Sequence, residues 1–482
     1  MVEWTKEARY QKYEDADQQY LAELTERVNQ SKYRQTFHIQ PKSGLLNDPN
    51  GLIYFNGNYY ISHQWFPLGP VHGLRYWCRY TGPTLKPDTN DDSQGVYSGS
   101  AFEYNQHLYY MYTANHRDED WHRISTQQIA KMTKNGEIKK FPNPVISAPP
   151  FGYTQHFRDP KVYQKDGTYY AVIAAQNIDK QGRILQYRSS DIVNWEFQGE
   201  IQTNLDNFGF MWECPDYLNG YDMLLFCPQG IDAEGDQFRN IYQSGYIMGQ
   251  YDMNQLTMNH GDFHELDHGF DFYAPQTFLD EQGQRILIGW MGLPEINYPT
   301  DEDGWAHCLT IPRVLTVDEG NLKQRPIKAL EKLRSNEETA LGYANKFTKQ
   351  LHPYEGKQFE LIIDILETEA TEVYFEVRTS KTETSLITYN TKEQKLTFDR
   401  SESGPLPNPV EGTSRSTYLD TPLSQLQLYV VTSIIEIFCN DGERVMSSRI
   451  FSGEDATGIK TSTESGQVYL RFTKYDLKGD TQ

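Results

Sequence analysis

Cysteine is scarce in this chain. Five occur in 482 residues (Cys78, Cys214, Cys227, Cys308 and Cys439), an odd number with no C-x-x-C spacing. That argues against a disulfide framework or a zinc knuckle, and free thiols suit a reducing compartment. Long apolar runs are missing too: no stretch approaches the roughly 20 residues of a membrane-spanning helix. The opening MVEWTKEARYQKYED is charged and has no apolar h-region. Positive charge is in deficit, 45 Lys and Arg against 66 Asp and Glu, for a net charge of -21. Such a balance disfavours nucleic acid or an anionic membrane as partner. The expectation is a soluble cytoplasmic protein, whose oligomeric state cannot be read from the sequence.

What is abundant is a repeat. Five stretches share a polar or acidic opening, an apolar run, a turn and a second apolar run. They are NDPNGLIYFNGNYY from Asn47, YSGSAFEYNQHLYY from Tyr97, FRDPKVYQKDGTYY from Phe157, WECPDYLNGYDMLL from Trp212 and DFYAPQTFLDEQGQRILI from Asp271. Their turns fall near Gly57, Gln106, Gly167, Gly220 and Gly283, 49 to 63 residues apart. That period fits propeller blades of about four strands. The chain is also too long for one core, and after the repeat the pattern changes. Phe359, Leu361, Ile363 and Ile365 alternate, as do Val373, Phe375 and Val377, and IIEIFC meets the turn signal Asn440-Asp441-Gly442. The fold expected is all-β: a five-bladed β-propeller over 36–320 and a C-terminal β-sandwich over 336–482. Residues 1–35, with Tyr13, Ala16, Tyr20, Leu24 and Val28 at helical spacing, predict a helical arm. A helical linker is expected over 321–335, with Pro326 near its start.

Three of the five units carry an acid near one place. Asp48, Asp159 and Glu213 precede their turns by nine, eight and seven residues. If the blades are equivalent, three carboxyl groups meet in one axial pocket, and glycoside hydrolysis needs such carboxyls as acid, base and nucleophile. Each acid alone also has a plain structural reading. Asp48 lies in the turn-forming string Asn-Asp-Pro-Asn-Gly, Asp159 follows Arg158, and Glu213 could be a buried, paired glutamate. Recurrence at matching places weakens all three readings together. Asn47 is placed to donate to Asp48 and keep it ionised, as a nucleophile requires. Glu213, between Trp212 and Cys214, is expected to have a raised pKa, as a general acid requires. The 34 Tyr and 8 Trp suit sugar stacking and β-structure equally.

Two metal patterns fail. His264-Glu-Leu-Asp-His268 matches H-E-x-x-H, which needs a helix, but it sits between Gly261 and Gly269 beside a strand-like segment. Asp88-Thr-Asn90-Asp-Asp92 opens like an EF-hand, with Ser93 and Gly99 where Gly and Glu are needed.

The motifs LLNDPNGL (45–52), YSGSA (97–101), FRDPKV (157–162), WECPD (212–216), DFYAPQTF (271–278), ILIGWMG (286–292) and GWAHCLTIPR (304–313) resemble, in order, those of glycoside hydrolase family 32. The C-terminal IIEIFCNDGERVMSSRIF is similar to that family's sandwich domain. The resemblance implies a propeller and sandwich, and retaining cleavage of β-fructofuranosides. It implies Asp48 as nucleophile, Glu213 as general acid/base and Asp159 as transition-state stabiliser. It further implies sugar contacts from Leu45, Leu46, Asn47, Gln64, Trp65, Tyr97, Ser98, Arg158, Tyr273 and Trp290. No metal or cofactor is implied.

Within the family, the absent secretion signal, free thiols and helical arm resemble intracellular members that act on sucrose 6-phosphate. A phosphate needs cations at the pocket rim, and His116, Arg117, His122 and Arg123 share one loop as candidates. The alternatives are a general invertase or fructan hydrolase, a fructosyltransferase, or a non-catalytic sugar-binding propeller.

Overall fold

The computed structural model describes residues 3–80, 82–347, 354–409 and 412–479. Residues 1–2 of the expected arm and 480–482 of the expected sandwich lie outside them. The repeats form five antiparallel sheets. Their first strands are Gly44–Phe55, Val96–Tyr104, Tyr153–Lys165, Met211–Leu218 and Tyr273–Leu279, and each sheet continues outward through three further strands. The first two strands are joined by tight turns. Asn56-Gly57, Asn105-Gln106 and Asp166-Gly167 all take positive φ, as two-residue hairpin turns require.

The five first strands touch one another in cyclic order, the fifth meeting the first. They therefore ring the axis of a five-bladed propeller. Five apolar clusters fill the gaps between neighbouring blades. Trp77, Tyr110 and Tyr112 lie between the first and second, Met111, Phe157 and Ile173 between the second and third. Val172, Trp212 and Phe226 lie between the third and fourth, Leu225, Phe272 and Leu287 between the fourth and fifth, Leu46, Phe278 and Trp290 between the fifth and first. Closure is reinforced by Trp305–Ala306, which pairs in parallel with Gly44–Leu45 of the first blade. Polar stitches cross the axis below the acids. Lys161 pairs with Asp216 at 3.1 Å, Gln276 donates to the Gly99 carbonyl, and Asn50 accepts from the Gly99 N–H.

Where a helical linker over 321–335 was expected, Asn321–Pro326 is the outer strand of the fifth blade, paired to Arg313–Asp318. Only Lys328–Leu333 is helical, as a 3-10 turn. The strand wins because Leu322 is buried with Leu315 in a blade core. The arm likewise is not one helix. It has short turns at Lys6–Arg9 and Tyr13–Asp15, then a helix Gln18–Asn29 started by the Asp17 side chain. Leu21, Leu24 and Val28 are its buried face.

The C-terminal strands form two sheets, of six and five strands. They face each other across Phe359, Leu361, Ile363, Val373, Phe375 and Val377, the residues whose alternation marked them. A buried ionic knot ties this sandwich to the propeller. Arg313 bonds Asp267 at 3.0 Å and Glu436 at 2.9 Å, all three side chains 0% exposed. His38 adds a contact to Glu436 at 3.1 Å.

Candidate active site

Every first strand loses register with its neighbour at the same level. The skipped pairs are Asn47-Asp48, Tyr97-Ser98, Asp159-Pro160, Cys214-Pro215 and Ala274-Pro275. Proline has no N–H for the ladder and belongs at such bulges. Asp159, Cys214 and Ala274, each just before a proline, take φ of 62°, 49° and 47°. Backbone of that kind is costly for residues bearing a Cβ and gathers at functional sites. Aligned on these prolines, or on Gly99 in the second blade, two rows appear. One is Asn47, Tyr97, Arg158, Glu213 and Tyr273; the other is Asp48, Ser98, Asp159, Cys214 and Ala274.

Hydrogen bonds join members within each row. In the second, Ser98 Oγ donates to Asp48 Oδ2, and the Cys214 N–H donates to Asp159 Oδ2 at 3.1 Å. Cys214 Sγ lies 3.8 Å from Asp48 Oδ2 and 3.7 Å from Asp159 Oδ2. In the first, Arg158 donates to Glu213 Oε1 from Nε at 2.9 Å and Nη2 at 2.7 Å. Glu213 Oε2 accepts from Tyr273 Oη at 2.7 Å and from Gln229 Nε2 at 2.8 Å.

These bonds set the charges. Burial pushes Asp159 up to about 7, although Arg158 pulls it down. Burial also holds Asp48 above the usual carboxylate range, helped by the Glu213 charge and opposed by Ser98 and Asn47. Glu213 goes the other way. Burial works to raise it, but Arg158 and Tyr273 outweigh that and hold it low. Both sequence expectations are thus reversed. Glu213 is stabilised as a carboxylate, and the aspartates hold protons more readily. For Asp48 the reason is burial; for Glu213 it is Arg158, which spends its strongest contacts on Glu213 rather than on its neighbour Asp159, 4.0 Å away.

The model described as "Glycosyl hydrolases family 32 N-terminal domain" matches residues 38–326, and "Glycosyl hydrolases family 32 C terminal" matches 329–478. This chain belongs to glycoside hydrolase family 32. Among its family 32 relatives, a sucrose-6-phosphate hydrolase of Staphylococcus xylosus is 81% identical, with 100% of each chain covered. The solved structure of a sucrose-6-phosphate hydrolase from Lactobacillus gasseri is 37% identical with a TM-score of 0.91, covering 99% of this chain and 100% of that one. A family 32 β-fructofuranosidase of Bombyx mori is 30% identical with a TM-score of 0.82, covering 96% and 97%.

Of the family 32 contact positions named from sequence, most gather here. Asn47 donates to Asp48 Oδ1 at 3.0 Å and to Gln64 Oε1 at 2.6 Å. Tyr273 and Trp290 pack edge to face at 6.0 Å. Leu46 is core beneath them, and Leu45 is buried between Phe66 and Ala306 in the sheet. Trp65 is not brought in. Its indole N–H is held by the Ser43 carbonyl, and its ring packs on Tyr13 of the arm. His122 also stands apart, 74% exposed and bound to Asp118.

Several residues escaped sequence reasoning. Gln229, on the second strand of the fourth blade, completes the grip on Glu213. His156 links Arg158 and Arg123, its Nδ1 lying 3.1 Å and 3.4 Å from their guanidinium nitrogens. His72, 6.1 Å from the Trp290 ring, and Arg75 stand on the first-blade side. All four lie outside the repeated stretches as read from sequence, so period could not find them. Donor atoms of Asp48, Asp159 and Cys214 lie within 4.8 Å of one another. Burial holds the Cys214 thiol well above its ordinary pKa, so this set is suited to sharing protons and offers a poor thiolate ligand. His264 and His268 of the H-E-x-x-H string fall in and beside a two-residue strand, not a helix.

Proposed function

We propose that this chain is a cytoplasmic, retaining β-fructofuranosidase that hydrolyses sucrose 6-phosphate to fructose and glucose 6-phosphate. The observation carrying this reading is the meeting of Asp48, Asp159 and Glu213 from three blades in a hydrogen-bonded cluster. The substrate is suggested by the name of the 81% identical relative. Among the described residues no helix is long and apolar enough to cross a membrane.

Asp48 attacks the fructosyl anomeric carbon while Glu213 protonates the departing glycosidic oxygen. The C–O bond breaks, and a fructosyl ester forms on Asp48. Glu213 then takes a proton from water, which attacks the same carbon, and the Asp48 ester bond breaks with net retention. Asp159 faces the positive charge that develops on the ring. The first step needs the proton on Glu213 and the charge on Asp48, the reverse of the balance that Arg158 and burial set. Substrate hydroxyls that draw off the Arg158 N–H groups free Glu213 to take up that proton, and the emerging ring charge favours ionised aspartates.

The test is kcat/KM for sucrose 6-phosphate beside sucrose in the same buffer. A tenfold or larger preference for the phosphorylated sugar supports the reading. Equal values support a general invertase, and turnover of neither removes the catalytic reading.

A further inference from the structure

We infer that Arg75, Arg117 and Arg123, gathered about Tyr97, form a clamp for the phosphate of the leaving sugar. The inference rests on the sucrose 6-phosphate reading and assigns its specificity to residues.

The Tyr97 ring has the Arg75 guanidinium 4.5 Å and the Arg123 guanidinium 5.7 Å from its centroid. Arg117 pairs with Arg123 across the second-blade hairpin and lies 5.7 Å from the Trp121 ring. Among the described residues none of these three arginines has a carboxylate within ion-pair distance. Nε of Arg75 and of Arg117 is buried without a hydrogen-bond partner. In a chain of net charge -21, three cations left unpaired together are costly unless an anion meets them. The aromatic faces of Tyr97 and Trp121 offset part of that cost.

The cluster also stands in the right place. Tyr97 precedes Ser98, whose hydroxyl bonds Asp48. On the other flank, Arg123 and Arg158 both reach His156 Nδ1, and Arg158 holds Glu213. Arginine only donates, so that nitrogen is the acceptor and the exposed His156 keeps Nε2–H free to donate. A sugar leaving from the Glu213 side therefore passes a wall of guanidinium groups, whose forked donors match phosphate oxygens. The arm braces this wall. The Arg9 carbonyl accepts from the Leu74 N–H at 2.7 Å, and Arg9 Nη1 donates to the His72 carbonyl at 2.9 Å, near Arg75. Lys6 Nζ sits 3.2 Å over the Trp121 ring. His122, bound to Asp118, has no part in the clamp.

The experiment is the ratio of kcat/KM for sucrose 6-phosphate to that for sucrose, in wild type, Arg123→Gln, Arg123→Lys and Arg117→Gln, with melting temperatures alongside. The expected result is at least a tenfold fall in the ratio for each Gln variant and an intermediate ratio for Arg123→Lys. Inhibition by glucose 6-phosphate weakens in the same order. A phosphate-preferring wild type whose variants all keep the wild-type ratio overturns the clamp and leaves the substrate reading standing. A wild type with no preference overturns both. If Arg123→Gln does not fold, Arg117→Gln on the half-buried rim decides the question in the same way.

Discussion

Arg158 holds Glu213 by one carboxylate oxygen, with Nε at 2.9 Å and Nη2 at 2.7 Å from Oε1, and leaves Oε2 to Tyr273 and Gln229. This contact joins the third and fourth blades and decides where the negative charge of the site rests. Replacing Arg158 by Gln removes the main force holding Glu213 low, while burial, which raises its pKa, remains. The pH profile of kcat/KM is then expected to shift its Glu213 ionisation upward, with a loss of about 10²–10³ in rate if Arg158 also orients substrate. An unshifted profile counts against the contact as the source of the low pKa.

Glu213→Gln removes the proton that the leaving oxygen needs. A general acid contributes about 10²–10⁴, so kcat on sucrose 6-phosphate should fall by that order. With fructosyl fluoride, whose leaving group needs little protonation, fructosylation should be nearly spared and a burst of fluoride should appear. Equal loss on both substrates means that Glu213 is not the acid.

Asp159 is held near 7 and is 4% exposed. A carboxyl whose folded pKa lies above its unfolded value of 3.8 binds more protons folded than unfolded between those pH values. Its contribution to stability therefore declines as pH rises from about 4 to 7 and stays lost above. Asp159→Asn should be inactive and yet more stable than wild type at pH 8, by ~1–3 kcal/mol, with the difference vanishing toward about pH 4. Melting curves at the two pH values check this.

Buried histidines act in the opposite sense. Burial lowers His63 to about 4 and His268 and His307 to about 3. Unfolding lets each take up a proton below 6.5, so stability should fall as pH drops from 6.5 toward about 4. Urea unfolding across that window should show His307→Asn with a shallower decline than wild type. A slope unchanged by the substitution excludes His307 as a contributor.

Arg313 lies between Asp267 of the propeller and Glu436 of the sandwich, all side chains inaccessible to solvent. Arg313→Ala strands two buried carboxylates, and breaking a buried pair costs about 3–5 kcal/mol. The variant should unfold several degrees earlier. A variant as stable as wild type would mean the knot contributes nothing net.

Much of this architecture is written in period. The five openings became the five axial strands because each leads an apolar run into turn residues and a second apolar run that folds back on it. The sandwich was legible for the same reason, since Phe359, Leu361 and Ile363 face one core. Local pattern failed where a distant partner decides. Trp65 sits beside Gln64 in sequence but turns to the arm, because the Ser43 carbonyl takes its N–H. The low pKa of Glu213 depends on an arginine 55 positions earlier, and the clamp on Arg75, which lies outside every repeat. The linker drawn over 321–335 took its helical signal from Pro326–Leu333, where only a 3-10 turn forms, while Leu322 had a place in a blade core.

The most direct test is to trap the covalent intermediate. The Glu213→Gln variant is incubated with fructosyl fluoride, quenched in acid, digested and sequenced by mass spectrometry. One fructosyl group on Asp48 is predicted. A label on another residue, or turnover with inversion and no label, contradicts the assignment of Asp48 as nucleophile.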